Sequence, residues 1–403
     1  MSMNIIVLNA SSSTQKCFLY GLADDDLPEQ QPTPLWEAQL DGARLKVSTA
    51  GGTVLEETLS SAAPSDTLLH ILETLWSGPT QVIEDAGEIT IVGHRGVHGG
   101  RTYTQPTLII PEVKAVIADL SSLAPAHNPA ALAGIEAVEK CLGDTPQLAV
   151  FDTAFHSSIP VAATVYPVPY AWTEQGVRRY GFHGISHAYA AGRAAELLGR
   201  DLASLRLITC HLGNGCSLAA VRSGQSVDTT MGFTPLEGLM MGTRSGSVDP
   251  GLLLYLMRQK GYSADELAQA LNSDSGLKGV SGVSGDMRDI VAAMADGHSR
   301  AKLAFDIYTH RVRFYVGAML ASLGGLDALV FTAGVGEHSA PVRAAVCEDF
   351  AFLGLQLDNE KNERLPVDTD IASSESPVRV LVIHAQENWA IARSCWAFAR
   401  AGT

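Results

Sequence analysis

Basic residues are in short supply in this chain. Its 403 residues include 28 lysines and arginines against 43 aspartates and glutamates, which gives a formal net charge of -15 at pH 7. Nucleic acids and anionic membrane surfaces attract proteins through basic patches. The charge balance therefore argues against both as partners, and an anionic substrate would have to be held by individual arginines.

Long apolar runs and paired cysteines are missing too. The longest apolar runs, such as residues 251–257, are too short to span a bilayer, and the N-terminus has no basic region of the kind that opens a secretory signal. The six cysteines are scattered without a CxxC pair, which is typical of reduced thiols in the cytosol. We expect a cytoplasmic protein.

The standard phosphate-binding motifs are absent as well. No GxxxxGKS or GxxxxGKT occurs, and the GxG segments at 213–215 and 334–336 do not extend to GxGxxG. Ser13 and Lys16 match the SxxK pattern of penicillin-binding enzymes, but residues this common match so short a pattern by chance.

The chain does contain one sequence pattern that occurs twice. The apolar runs 5–8 and 17–20 flank a small-residue turn with Asn9, and the runs 205–208 and 217–221 flank a turn with Asn214. Each predicts a strand, a tight turn and a second strand. Two further apolar runs, at 89–92 and 328–331, enter glycine-rich loops whose backbone N–H groups can bind phosphate oxygens. Two such halves facing each other predict a nucleotide-binding cleft.

The rest of the pattern predicts mixed sheets flanked by helices, in a chain long enough for two domains. Helices are predicted near residues 65–76, 111–120, 129–142, 300–323 and 387–400, and strands at 147–151, 327–332 and 378–384. We predict helix caps at Asp66, Asn128, Thr234 and Asp249. No low-complexity linker separates the halves, so hinges are predicted near Asp152 and Glu387.

Two arginines stand in glycine-rich segments. Arg95 lies between Gly93 and Gly96, and Arg244 lies within residues 241–246. A turn of this kind gives an arginine side chain little to pack on, so a solvated surface charge explains the pair poorly. A guanidinium directed at a carboxylate or phosphoryl group explains it better.

Histidines are frequent in the same loops. The pairs His94/His98 and His183/His187 have the spacing of zinc ligands on a helix, but neither has the glutamate of HExxH, so hydrogen-bonded structural histidines are the stronger alternative. His183 and His127 each precede a predicted helix start, where the helix dipole disfavours the imidazolium. His183 is therefore a candidate to stabilise charge on a phosphoryl group.

Two acidic residues stand at element ends. Asp152 follows a buried-looking strand and Glu387 opens the last helix. Both are placed to hold or orient a hydrated Mg2+, which needs only one or two carboxylates. Helix capping is the alternative role for each.

Taken together, these segments resemble the acetate kinase family, which belongs to the larger group of sugar kinases, Hsp70 chaperones and actin. The resemblance covers essentially the whole chain and is carried by residues 8–13, 93–100, 123–129, 151–156, 178–184, 211–215, 240–246 and 331–337. It implies an α/β fold of two duplicated ribonuclease H-like domains, 1–151 plus 388–403 and 152–387, with the active site in the cleft between them. It also implies a homodimer.

The resemblance further implies reversible transfer of the ATP γ-phosphoryl group to acetate, giving acetyl phosphate and ADP by direct in-line transfer. The implied catalytic residues are Arg95, Asp152, His183 and Arg244. The implied ligands of Mg2+, for which Mn2+ can substitute, are Asn9 and Glu387. The implied acyl-substrate residues are Arg95, Val97, Ala126, His127, Phe182 and Pro235. The implied ATP-binding residues are Lys16, His211, Leu212, Gly213, Asn214, Gly215, Asp286, Met287, Arg288, Gly334, Val335, Gly336, Glu337 and His338.

Elementary chemistry constrains that mechanism. A carboxylate acceptor is already ionised at pH 7, so it needs no general base to act as a nucleophile. We therefore expect Asp152 to orient Arg95 or the Mg2+ shell and not to remove a proton. Two alternatives to acetate kinase remain open: a short-chain acyl kinase that prefers propionate, and a non-catalytic ATP-binding regulator of the same fold.

Four positions depart from the family pattern. Ser11 replaces a usual glycine, Gly96 a valine and Ile185 a threonine, while Ala126 stands where leucine is common. A smaller residue at 126 leaves room for another methylene, which discriminates by only about 1–3 kcal/mol. We therefore predict that propionate competes well with acetate.

Overall fold

The computed structural model describes residues 2–10, 14–23, 27–59, 64–123, 128–364 and 367–401. The chain divides into two compact units, Met1–Ala154 with Gln386–Thr403, and Phe155–Ala385. Asp152 and Glu387 both belong to the first unit.

An eight-stranded mixed sheet forms the centre of the first unit. Its strands are β1 (Ser2–Ala10), β2 (Thr14–Ala23), β3 (Trp36–Asp41), β4 (Arg44–Thr49), β5 (Val54–Thr58), β6 (Ile89–Gly96), β7 (Thr107–Leu108) and β8 (Gln147–Phe151). They lie in the order β5-β4-β3-β2-β1-β6-β8-β7. Because β1, β6 and β8 are parallel neighbours, their carboxyl ends bring Asn9, Arg95 and Asp152 to one edge of the sheet.

Helices cover this sheet: α1 (Pro64–Glu73), α2 (Pro111–Asp119), α3 (Asn128–Leu142) and the C-terminal helix (Glu387–Ala401). The apolar faces of α1 and α3 join a core that includes Ile6, Trp36 and Val47. The C-terminal helix packs very closely on β6. A Cβ at Gly93 would lie 2.6 Å from Cys395 Sγ, so only glycine fits there.

The second unit contains a six-stranded sheet with the order β11-β10-β9-β12-β14-β13. Its strands are β9 (Arg206–Leu212), β10 (Cys216–Arg222), β11 (Gln225–Thr229), β12 (Ala328–Thr332), β13 (Thr369–Asp370) and β14 (Arg379–Val382). β9, β12 and β14 run parallel, and β12 is buried along its whole length. Continuous apolar strands of this kind are typical of a sheet covered on both faces.

The helices of the second unit are α4 (Val161–Thr164), α5 (Tyr170–Glu174), α6 (Gly184–Leu198), α7 (Pro250–Tyr255), α8 (Ala264–Ser273), α9 (Gly276–Ser281), α10 (Met287–Ala295), α11 (Ser299–Leu323), α12 (Ala333–His338), α13 (Ala340–Glu348) and α14 (Asn359–Glu363). Asp249 caps α7 as predicted, since its side chain accepts from the Gly251 N–H. The α/β class with two mixed, helix-flanked sheets is confirmed.

Both predicted strand–turn–strand repeats are present, as β1–β2 and β9–β10. Three local expectations are wrong. Arg95 lies in β6 and not in a loop, because β6 pairs with β8 as far as Gly96. Residues 334–336 belong to α12 and not to a turn.

The third concerns two caps. Helix α1 begins at Pro64, so Asp66 lies inside its first turn. No helix follows Thr234, because Gly238 adopts φ 107°, far from helical values, and the segment is irregular as far as α7. Within the described part of the chain, no helix combines the length and apolar character needed to cross a membrane.

Candidate active site

Arg95 and Asp152 form the centre of a charged cluster in the first unit. Arg95 Nη2 lies 2.7 Å from Asp152 Oδ2 and its Nε lies 3.4 Å from Oδ1, a two-point contact between guanidinium and carboxylate. Asp152 is 1% exposed, and its backbone N–H donates to the Gly96 carbonyl at 2.8 Å. The parallel pairing of β6 and β8 thus sets the position of both side chains.

Asn9 and Glu387 complete this cluster. Arg95 Nη1 lies 3.3 Å from Asn9 Oδ1 and 3.5 Å from Glu387 Oε2, while Asn9 Nδ2 donates to Asn388 Oδ1 at 2.9 Å. Burial alone would lower the pKa of Arg95, but Asp152 and Glu387 raise it, with a net result above the ordinary value. The arginine is therefore charged and already largely neutralised.

The oxygen donors of this cluster suit a hard cation. Glu387 Oε1 is buried without a hydrogen-bond partner among the described residues, and Asn9 presents a second oxygen nearby. Mg2+ prefers oxygen ligands and keeps several waters, so one or two protein groups suffice. The donor set therefore fits the predicted Mg2+.

The zinc alternative finds no support in the histidine contacts. In the described ranges no three His, Cys, Asp or Glu side chains are grouped so as to hold a metal ion. His94 Nε2 lies 2.7 Å from Gln147 Oε1, and His98 Nδ1 accepts from the Gly100 N–H at 3.0 Å. Burial lowers the pKa of each to about 4, so both are neutral structural residues.

His183 occupies a special backbone position in the second unit. It stands immediately before α6 in the left-handed region, with φ 56°. Its Nδ1 lies 2.8 Å from Ser217 Oγ on β10, and its ring stacks on His211 with centroids 4.1 Å apart. Non-glycine residues adopt this conformation rarely, and they do so mainly where function requires it.

Arg244 approaches the same place from the irregular segment between β11 and α7. Its Nη1 donates to the Pro235 carbonyl at 2.7 Å. Burial lowers the pKa of its guanidinium, an effect that Cys216 partly offsets. A Cβ at Gly215 would lie 3.3 Å from Arg244 Nη2 and 3.5 Å from His183 Nε2, so the two donors share one small space beside this glycine.

A cavity of about 710 Å³ opens in the second unit next to the β9–β10 turn. Eight of the predicted ATP-binding residues line it: Gly213, Asn214, Asp286, Met287, Arg288, Gly334, Val335 and His338. It is large enough for a nucleotide. Its lining combines backbone-rich turns with apolar side chains.

Comparison with known proteins decides the family. The model of the acetokinase family matches residues 4–393. The chain belongs to the acetokinase family. It is 61% identical over 400 residues to the acetate kinase of Nostoc punctiforme, with 98% of this chain and 99% of that protein covered. It is 62% identical over 401 residues to the acetate kinase of Gloeobacter violaceus, with 98% and 99% covered.

Solved structures agree. The acetate kinase of Porphyromonas gingivalis superposes with a TM-score of 0.87 at 41% identity, covering 97% of this chain and 98% of that one. A propionate kinase from Francisella tularensis superposes with a TM-score of 0.88 at 35% identity, with the same coverage. The resemblance predicted from the motifs is confirmed, and this member of the acetokinase family is a kinase.

The cavity does not account for every predicted ATP-binding residue. Lys16 lies in the first unit, beside Asn9 and Arg95. The others outside the lining are His211, Leu212, Gly215, Gly336 and Glu337. Glu337 has a structural partner instead: it accepts from the Ala385 N–H at 2.9 Å and contacts His384 Nδ1 at 2.6 Å.

The predicted acyl-substrate residues are spread over both units. Val97 is buried in the first, and Phe182 is buried in the second, where Pro235 contacts Arg244. Ala126, His127 and the departure Ser11 lie outside the described residues. The departure Gly96 has a clear reason, because a Cβ there would lie 2.4 Å from Phe151 Cδ1.

Sequence reasoning missed several residues that the site uses. Asn388 holds Asn9, and Ser217 holds His183. The cavity lining also includes Gly285, Val291, Ser339 and Pro341. The one available signal was Ser217, a hydroxyl in an otherwise apolar strand opposite His211.

Proposed function

We propose that this chain is an acetate kinase that transfers the γ-phosphoryl group of ATP to acetate, reversibly and with Mg2+, to give acetyl phosphate and ADP. The observation that carries the proposal is the placement of Arg244 and His183 around Gly215, in the unit that holds the nucleotide-sized cavity. Its relatives at about 60% identity bear the name acetate kinase.

The nucleotide binds in the 710 Å³ cavity in this proposal. Met287, Val291 and Val335 offer apolar contacts for the base, and the backbone N–H of Asn214, in the β9–β10 turn, is proposed to bind a phosphate oxygen. In this proposal the terminal phosphate points towards the adjoining Gly215, beside which Arg244 and His183 lie.

The phosphoryl group is stabilised by charge and positioning. Arg244 and His183 donate to its oxygens as charge spreads over them, and Arg95 holds the acetate carboxylate. Acetate is ionised at pH 7, so the reaction requires correct placement of the two reactants and no proton abstraction. Asp152 contacts the Arg95 guanidinium at two points, which supports a role for Asp152 in orienting Arg95 towards the acetate carboxylate.

Mg2+ would be held by Asn9 and Glu387, with Asp152 ordering the arginine beside it. When bound, the ion supplies positive charge to phosphate oxygens. The unpartnered, buried Glu387 Oε1 supports this assignment. Mn2+ is expected to substitute, because it accepts the same oxygen donors.

Propionate is proposed as a competing substrate. The proposal rests on the small side chain of Ala126 and on the likeness to a propionate kinase structure. Comparing kcat/KM for the two acids tests it: values within about tenfold are expected, because one methylene discriminates weakly. A preference for acetate of several hundredfold contradicts it.

We also propose a cytoplasmic homodimer. The second unit exposes large apolar side chains on α7 and the turn after it and on α11, including Leu254, Tyr255 and Phe314, which are 51%, 51% and 60% exposed. Exposed apolar groups of this size are typical of interfaces. Light scattering of the wild type and of Tyr255→Glu is expected to show a dimer and a weakened dimer; a monomeric wild type at micromolar concentration overturns this part.

The central test is trapping of the acyl phosphate as a hydroxamate. With ATP, Mg2+ and acetate the wild type is expected to form acetyl hydroxamate, and Arg244→Ala is expected to form almost none. Arg101→Ala, an exposed arginine, is the matched control. Nucleotide binding without any hydroxamate, over a panel of short carboxylates, would instead identify a non-catalytic regulator.

A further inference from the structure

The histidine pair His183/His187 has the spacing of metal ligands, but the structure gives it a different use. The two residues lie one helical turn apart, and both rings reach the hydroxyl of Ser217. Ser217 Oγ is 2.8 Å from His183 Nδ1 and 2.8 Å from His187 Nε2. A chain of hydrogen bonds therefore links the candidate catalytic imidazole to the interior of the second unit.

The chain continues to β9. His187 Nδ1 lies 2.7 Å from Thr209 Oγ1, and His187, Ser217 and Thr209 are all 0% exposed. Each hydroxyl carries a single proton and each neutral imidazole carries one. Among the described residues the acceptors within reach of the Ser217 proton are His183 Nδ1 and His187 Nε2, so if His187 donates to Ser217, the Ser217 proton is donated to His183. The direction at Thr209 then determines the tautomer of His183.

The geometry at Thr209 sets this direction. If His187 donated to it, the Thr209 proton would have the Ala219 carbonyl as its partner at 3.4 Å, well beyond the usual O–H···O distance. A buried donor left so poorly bonded is costly. Donation from Thr209 to His187 Nδ1 at 2.7 Å avoids that cost.

The remaining protons follow in order. His187 is buried, and burial together with the nearby His156 and His211 lowers its pKa well below the ordinary value, so it carries one ring proton. With Nδ1 accepting, that proton lies on Nε2 and is donated to Ser217. The Ser217 proton is then donated to His183 Nδ1, and His183 in its neutral form carries its proton on Nε2.

We propose that Thr209, His187 and Ser217 are positioning residues that keep the proton of His183 on Nε2, the nitrogen that faces Gly215 and Arg244. His183 then presents an N–H donor at the place where the guanidinium also donates, without having to become an imidazolium. A neutral donor suits this place, because a second positive charge beside Arg244 is unfavourable. The role of His183 as a donor to the phosphoryl group rests on the proposed function. The tautomer of His183 is inferred from the hydrogen bonds alone.

The first experiment measures the tautomers directly. Long-range 1H–15N correlation spectra of the full chain, labelled at histidine and recorded at pH 7.5 without substrates, distinguish protonated from unprotonated ring nitrogens. Signals are assigned with His183→Gln and His187→Gln. A proton on Nε2 of both residues is expected; a proton on Nδ1 of either, or a doubly protonated His183, overturns the proposal.

The second experiment uses matched variants of Thr209. Thr209→Val keeps the shape and removes the hydroxyl, while Thr209→Ser keeps the hydroxyl. We expect Thr209→Val to give a mixture of His183 tautomers and a kcat about tenfold lower with little change in KM, the loss of one transition-state hydrogen bond. Thr209→Ser is expected to retain a single tautomer and most of the activity.

Equal losses in both Thr209 variants, or a loss confined to KM, overturn the positioning role. The wild-type spectra decide the tautomer even if Thr209→Val does not fold. A wild type with Nε2 protonated on both histidines and no kinase activity leaves the hydrogen-bond chain standing and overturns the proposed function instead.

Discussion

The two candidate arginines, one in each unit, are held in opposite ways. Arg95 is surrounded by Asp152, Glu387 and Asn9, which raise its pKa and satisfy its donors. Arg244 has no carboxylate within ion-pair distance among the described residues, and burial lowers its pKa. The difference indicates two tasks. The charge of Arg95 is already balanced by carboxylates, which suits a rigid positioning group. The charge of Arg244 is buried without a carboxylate, so binding an anion stabilises it more.

The comparison predicts the largest loss at Arg244. Arg244→Ala is expected to lower kcat about 100- to 1000-fold, as removal of one transition-state donor does, with a smaller change in KM. Arg95→Ala is expected to act mainly on the KM for acetate. Steady-state kinetics with acetate varied at saturating ATP separates the two. Equal effects of both variants on kcat, with unchanged KM for acetate, contradict the division of tasks.

Replacing Asp152, the carboxylate partner of Arg95, is expected to cause the next largest loss of activity. Asp152→Asn leaves the guanidinium with a weaker acceptor and is expected to lower kcat/KM about 10- to 100-fold, a typical effect for a group that orients another. Raising Mg2+ is expected to restore most of the activity, because the ion can then order the cluster. Asp144→Asn, an exposed aspartate, is the control. A loss that ignores Mg2+ but is rescued by raising the pH would instead identify Asp152 as a base.

The convergence of Arg244 and His183 is tested at the glycine between them. Gly215→Ala adds a methyl group 3.3 Å from Arg244 Nη2, which must shift slightly, and 3.5 Å from His183 Nε2, which it contacts at an ordinary distance. A kcat about tenfold lower is expected, since small misplacements of catalytic groups are costly. Gly192→Ala, in α6 with no atom within 4 Å of the added group, is expected to keep full activity. Equal activity of the two variants would remove the argument for a shared space.

The contrast between the arginines was only partly predictable from the sequence. Glycine-rich surroundings singled out both residues as candidates, but they predicted a loop for Arg95, which lies in a strand because β6 pairs with β8. Parallel pairing is a long-range property, and local composition does not encode it. Segments with local signals, such as Asp249 before Pro250, were predicted to the residue.

The hydrogen-bond chain through Thr209, His187, Ser217 and His183 could not be predicted either, because it too depends on long-range contacts. His187 and Ser217 are thirty residues apart, and their contact depends on how α6 packs against β10. Spacing along the helix gave the histidine pair and suggested metal ligation, because the only sequence signal for Ser217 is a single hydroxyl in an otherwise apolar strand. The motifs did lead to the lining of the large cavity, because the β9–β10 turn and α12 follow adjacent parallel strands.

Glu337 is a third buried charged residue, and its pairing with a histidine makes its contribution to stability depend on pH. Glu337 is neutralised by a histidine and not by an arginine: although burial would raise its pKa, bonds from His384 and the Ala385 N–H lower it, and the bond to Glu337 raises the pKa of His384. The carboxylate therefore stabilises the fold above its unfolded pKa and loses this effect as pH falls through its lowered folded value. The histidine stabilises below its unfolded pKa and loses its effect as pH rises through its raised folded value.

Glu337→Gln is therefore expected to destabilise the protein most at pH values of about 5 to 6.5, by about 1–2 kcal/mol, a figure that allows for the half-exposed histidine. Urea unfolding at pH 5.5 and pH 9 measures the change, with Glu348→Gln at an exposed position as control. The loss is expected to be smaller at pH 9, because the stabilisation from His384 is lost as pH rises through its raised pKa. The arginine of the Arg95–Asp152 pair does not titrate between pH 5 and pH 9. If Glu337→Gln lowers the free energy of unfolding equally at both pH values, Glu337 behaves like Asp152. That result would contradict the distinction between carboxylates paired with arginine and with histidine.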